Sequence, residues 1–216
     1  MKVYDISMPV SYEMPVYKGR IGKRPMITVE SDFNTGAVYE SRIAMNLHTG
    51  THLDAPLHVL AGGGTIDSIP LESVIRNCKV LDLTHVPNKI TKEDLIDKNI
   101  HCGDFVLLKT RNSFADLLEG NFIYLDQTGA EYLISQHVVG VGIDALGIER
   151  EQPGHPTHKA LLGNGSIILE GLRLKNVPEG QYLLVAAPIK IMGVEAAPVR
   201  ALLFSQAIAG KLEFAE

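Results

Sequence analysis

The sequence predicts a compact, strand-rich α/β domain with a few short helices. Three observations carry this. Short β-branched or alternating runs recur along the chain, helix-like segments lie between them, and no repeat, low-complexity tract or composition break marks a linker. With 216 residues, 45 % of them apolar, the chain has ample material for a buried core, so residues 1–216 are read as a single domain.

In chain order the strand candidates are "KVYDISM", "MITVES", "AVYESRIAMNL", "KVLDLTHV", "FVLLKT", "HVVGVGI", "SIILEGL", "YLLVAAPIKIM" and "VRALLF", most bounded by Gly, Pro, Asn or Asp. The first fifty residues read as hairpin-like strands, which predicts a second, antiparallel layer. Helices are expected from Thr91 to about Lys98, from about Ser113 to Leu118, and from about Thr128 to Gln136. Thr91 followed by Asp94 makes an approximate capping box at the start of the first. The run "HVVGVGI" is apolar on both faces and follows the third helix, as a central strand of a β-α-β unit would.

Composition excludes several partner classes. The net charge of −5 argues against nucleic acid and anionic membrane as partners, so a small molecule is the expected partner. No apolar run approaches about 18 residues and the N-terminus lacks the regions of a secretory signal, so a cytoplasmic location is expected. Cys78 and Cys102 lie in apolar stretches and are read as reduced core thiols.

The stretch "NLHTGTHLDAPLHVL" concentrates chemistry. With 8 His in 216 residues, an eleven-residue window should hold 8/216 × 11, about 0.4, yet His48, His52 and His58 fall in one. Together with Asp54 they occupy even positions, which share a face in an extended strand. His48 and His52 would then stand about 13 Å apart, too far to share an ion whose bonds to nitrogen are about 2.0–2.1 Å. The chain must fold back, either through a positive φ or bulge at Gly50 or through a single helical turn. Pro56 keeps Ala55 out of the α region, so residues 52–56 are expected to be extended. Two imidazoles and a carboxylate suit a catalytic ion with a solvent position, and His58 is better placed as a proton carrier than as a further ligand.

A second constellation, "GHPTHKALLGNGSIILEGL", holds His155, His158 and Glu170. Pro156 suits the first turn of a short helix ending near Gly163. Glu170 closes a buried strand and needs a cationic partner there.

The fragment running from His48 through His52, Asp54 and Pro56 to His58 resembles the H-x-G-T-H-x-D-x-P-x-H signature of the metal-dependent cyclase/hydrolase family, which includes bacterial kynurenine formamidases and isatin hydrolases. "YDISMPVSYEMPVYKG", "CGDFVLLKT", "VGVGIDALGIE", "HKALLGNGSIILEGL" and "APVRALL" extend the likeness along the chain. The resemblance implies a β/β/α three-layer swivelling domain assembled as a homodimer or homotetramer. It implies one ion on His48, His52 and Asp54, a second on Asp54, His158 and Glu170, with Asp54 bridging, and His58 as base or proton shuttle. Tyr17 is expected to line the pocket mouth. The chain has no Trp, and Leu146 and Gly147 stand where many relatives carry a polar contact. Asp144 and Arg200 are expected to serve in structural ion pairs.

The expected activity is hydrolysis of a small amide, formamide, cyclic imide or lactone by water activated on one or two Zn²⁺ or Mn²⁺ ions. A true cyclase of the same family is the alternative within the enzyme class. Outside it, the alternative is a non-catalytic protein stapled by its ions.

Overall fold

The computed structural model describes residues 1–114 and 120–205. Its strands are β1 (Val3–Asp5), β2 (Met26–Ser31), β3 (Glu40–Ala44), β4 (His52–Asp54), β5 (Ile75–Asp82), β6 (Lys89–Ile90), β7 (Phe105–Lys109), β8 (Tyr124–Leu125), β9 (Gly140–Ile143), β10 (Ile167–Glu170), β11 (Gly180–Val185), β12 (Ala196–Pro198) and β13 (Leu202–Phe204). The α-helices are α1 (Lys92–Leu95), α2 (Gln127–Ser135) and α3 (Pro156–Gly163).

Nine strands form one mixed sheet in the order β1-β13-β11-β5-β7-β9-β10-β4-β12. The centre, β5-β7-β9-β10, is parallel, and the strands flanking it pair antiparallel. All of β7 and β9 is buried, as their apolar sequences require of strands covered on both faces. Alternation along each strand sends side chains to two cores. On one face Leu53 and Ala197, from one end of the sheet, meet Leu203 and Leu184, from the other, over Phe105 and Leu107. Strands so distant in the pairing order share a core only if the sheet curls over itself, which makes two β layers. The opposite face, with Val106, Leu108, Val141 and Ile168, packs against Leu95, Leu133 and Leu161 of the three helices. The result is the strand-rich α/β architecture with β, β and α layers.

Local signals explain the helix ends. The Thr91 and Asp94 capping box is formed, but α1 stops at Leu95, short of the expected Lys98. Asp126 caps α2 by accepting from Gly129 N at 3.1 Å, and α3 spans Pro156 to Gly163 as its end residues predict. The helix expected over 113–118 falls mainly outside the described residues, and Arg111–Ser113 form a 3-10 turn.

Two expectations need correction. The early hairpin, β2 with β3, is a two-stranded ribbon rather than a layer over the domain, and its side chains stay largely exposed. Cys102 is exposed in the turn before β7, and only Cys78 is a core thiol, its ionisation pushed up by burial. Apolar neighbours in sequence did not bring Cys102 inside because the adjacent turn at Gly103 carries it outward.

Candidate metal centre

Strand β4 sets the first two side chains. His52 and Asp54 are two residues apart on an extended strand, so they share a face. Antiparallel pairing with β10 places Glu170 directly opposite His52, on that same face. On the other flank, β12 sets the small side chain of Ala196 opposite Asp54.

Gly50 reverses the chain with φ +76°, and its backbone is approached so closely by Gly171, at φ +72°, that a Cβ on Gly171 would collide with the Gly50 carbonyl. Only glycine fits both demands at Gly171. The reversal sets the rings of His48 and His52 5.1 Å apart, with His48 Nδ1 2.9 Å from Asp54 Oδ1. Beyond β4, Ala55 is extended and Pro56–His58 form a 3-10 turn. That turn swings His58 back until its ring lies 4.1 Å from the His48 ring and 5.3 Å from that of His158. His158 arrives from α3, with Nε2 3.6 Å from Asp54 Oδ2 and 3.3 Å from Glu170 Oε1. His52 Nε2 lies 3.4 Å from Asp54 Oδ1 and 3.3 Å from Glu170 Oε2.

These separations test whether the residues suit an ion. Donors tetrahedrally arranged at about 2.0–2.1 Å from a cation stand about 3.3 Å from one another. Four contacts of the cluster lie at or near that spacing. His52 Nε2 and both Asp54 oxygens are buried with no well-formed hydrogen bond, meeting only imidazole–carboxylate contacts within the cluster, an arrangement that a cation would complete. The donor set therefore fits. Asp54 presents one oxygen to His48 and His52 and the other to His158, so it can bridge. Glu170 also faces both histidine sets, one oxygen towards each, where the resemblance assigned it to one ion.

Surrounding groups fix the histidine tautomers. His52 Nδ1 is 3.0 Å from the Gly50 carbonyl, an acceptor, so Nδ1 carries the proton and Nε2 offers a lone pair. His158 Nδ1 lies 2.6 Å from Glu149 Oε1 in the same relation. Glu149 is almost fully buried and also accepts from Thr157 N, Gln152 Nε2 and His155. Glu195 Oε1 stands 3.5 Å from His48 Nε2. Sequence reasoning missed both glutamates, since each lies in an irregular loop with no spacing that ties it to a histidine.

Charge is tightly balanced. Burial alone would depress the His52 pKa, but close contacts with Asp54 and Glu170 outweigh it and push it up to about 10 when no cation is present. Burial and the Asp54 charge push Glu170 up, and contacts with His158 and His52 overcome both to hold it at about 2. His58 behaves differently: burial dominates and lowers its pKa, leaving a neutral imidazole near pH 7.

Tyr17 is half-buried against Phe122 and lines a groove of about 270 Å³ with Lys18, Glu149 and His155. Lys18, Glu151 and His155 in its wall all have positive φ, near 55°, a strained state for residues with a Cβ. The remaining candidates lie elsewhere. Asp144 is buried and accepts from the amides and hydroxyls of Thr110 and Ser113 rather than pairing with a cation. Arg200 pairs with Asp5 at the exposed sheet edge.

The family model described as "Putative cyclase" matches residues 4–150. The kynurenine formamidase of Salinibacter ruber is 34% identical over 206 residues, 94% of this chain and 97% of that protein. The structure of a predicted metal-dependent hydrolase from Bacillus stearothermophilus is 54% identical, with TM-score 0.87 over 95% of this chain and 98% of that one. Isatin hydrolase A from Labrenzia aggregata is 26% identical, with TM-score 0.80 over 94% and 93%.

Proposed function

Because the chain belongs to the cyclase family of metal-dependent hydrolases, we propose that His48, His52, Asp54, His158 and Glu170 hold one or two divalent ions for cleavage of a small, non-peptide amide. Formamides and cyclic amides of aromatic compounds are the first candidates, by analogy with the formamidase and isatin hydrolase relatives. The observation that carries the reading is the buried set of His52 Nε2 and both Asp54 oxygens, which make imidazole–carboxylate contacts but no well-formed hydrogen bond and are spaced as ligands of a cation.

A bound ion supplies Lewis acidity to a carbonyl oxygen and lowers the pKa of water towards neutrality. The protein's own groups do the rest. Asp54 and Glu170 face both histidine sets and so fix their separation. His58 is neutral, beside His48 and His158, and can take a proton from the attacking water and return it to the departing nitrogen. We assign Tyr17 to the organic part of the substrate because it borders a groove shared with Glu149 and His155, the two residues that adjoin His158.

Zinc and manganese both suit imidazole with carboxylate, and either serves this reading. Two free thiols, one of them exposed, fit the reducing cytoplasm. A homodimer or homotetramer is favoured by the ribbon β2-β3, which leaves Met26, Ile27, Phe33, Tyr39 and Ile43 exposed. Among the described residues no helix is long and apolar enough to cross a membrane.

The test is metal analysis of the purified protein, followed by a screen of formanilides, isatin and small lactones with and without chelator. Turnover that chelator abolishes while the far-ultraviolet spectrum persists supports the hydrolase. Unfolding on chelation, with no turnover of any substrate, supports the stapled, non-catalytic alternative.

A further inference from the structure

Residues 18–24, "KGRIGKR", carry four of the chain's 20 basic residues, although the protein's net charge is −5. No acidic residue occurs between Glu13 and Glu30. Among the described residues, the side chains of Lys18, Arg20, Lys23 and Arg24 make no ion pair, and Arg24 Nε is buried without a partner.

The segment is tied to the metal centre. Thr49, the neighbour of His48, donates from Oγ1 to the Lys23 carbonyl at 2.8 Å. The ammonium groups of Lys18 and Lys23 lie 5.4 and 5.8 Å from the centroid of the Tyr17 ring, which borders the groove. Lys18 and Arg20 are exposed, where a pairing contributes little, but Lys23 is half-buried. Burial and the nearby Arg20 depress its pKa, while the charges of Glu170 and Asp54 act on it in the opposite sense. With those two carboxylates engaged by cations, Lys23 would be left as a partly desolvated positive charge beside Tyr17.

We propose that Lys23 is a specificity-determining residue that receives a carboxylate of the substrate, with the adjoining ring or chain resting on Tyr17. The substrate class is then a small amide that also carries an acid group. This rests on the hydrolase reading above. Lys23 takes no part in bond cleavage, and Lys18 and Arg20 add long-range attraction for the anion.

The test uses two ligands that differ in one carboxylate, 2-acetamidobenzoate and acetanilide, titrated calorimetrically into the metal-loaded protein. Wild type is expected to bind the acid about 10- to 100-fold more tightly, the effect of one charged hydrogen bond. Lys23→Met should erase that preference and Lys23→Arg should keep most of it. Equal binding by wild type overturns the proposal. A preference that survives Lys23→Met also overturns it, because the carboxylate then sits on the ions. Hydrolysis of formanilide and 2-formamidobenzoate is measured on the same proteins. Absence of all turnover counts against the hydrolase reading alone, since the binding preference still reports on Lys23.

Discussion

Glu149→Gln probes the support of His158 without touching a ligand. Oε1 of Glu149 accepts from both His158, at 2.6 Å, and His155, at 3.0 Å, while Oε2 accepts from Thr157 N and Gln152. Glutamine keeps one acceptor oxygen and replaces the other with an NH₂ donor. If the oxygen stays on the Thr157 side, the NH₂ faces His158 Nδ1 and favours the tautomer protonated at Nε2, the atom needed by the ion. If it flips, Thr157 N and the Gln152 amide meet a donor instead. Either way at least one charged hydrogen bond is lost, about 1.5–3 kcal/mol. The affinity for the ion held by His158 should therefore fall about 10- to 100-fold. The His48/His52 side should change less. Competition with a chromogenic chelator, resolving two steps, measures this, with circular dichroism confirming an intact fold. Unchanged affinity at both steps would falsify the role given to Glu149.

Three further outcomes follow from the geometry. His58→Ala should lower kcat about 10²- to 10⁴-fold while bound metal stays the same, as loss of a general base does; unaltered turnover removes His58 from proton transfer. Metal uptake should release protons and strengthen with pH. A histidine held at about 10 stabilises the metal-free protein fully below about 6.5, and this is lost as pH rises through 10, so ions bind against it by roughly tenfold per pH unit for each proton displaced. Calorimetry in buffers of different ionisation enthalpy would show this, and a pH-independent affinity would contradict it. Gly171→Ala, at φ +72° with its Cβ against the Gly50 carbonyl, should cost about 2–5 kcal/mol in urea unfolding and loosen the ion site; a change under about 0.5 kcal/mol would deny that the two glycine backbones are packed this closely.

Legibility varied with the range of the determinant. The strand runs and the ends of α3 were readable because pattern, Pro156 and Gly163 act locally. His52 and Asp54 were readable for the same reason: two-residue spacing fixes a face. The reversal at Gly50 followed from a distance that an extended chain could not meet, although only the structure chose the positive φ over a helical turn. Glu170 opposite His52 depends on the register of β10 against β4, about 120 residues apart in sequence, which no local pattern encodes. Glu149 and Glu195 were illegible because their roles arise wholly from tertiary approach. Alternation reveals the strands of the ribbon but not what covers them, and the hairpin forms no layer over the domain.

Where cations sit can be read by anomalous diffraction from crystals grown with Zn²⁺ or Mn²⁺. One or two peaks are expected within ordinary bonding distance of Asp54, flanked by His48 and His52 on one side and His158 on the other, with Glu170 reaching both. Peaks confined to other parts of the surface, with Asp54 hydrogen-bonded only to water, would contradict this placement.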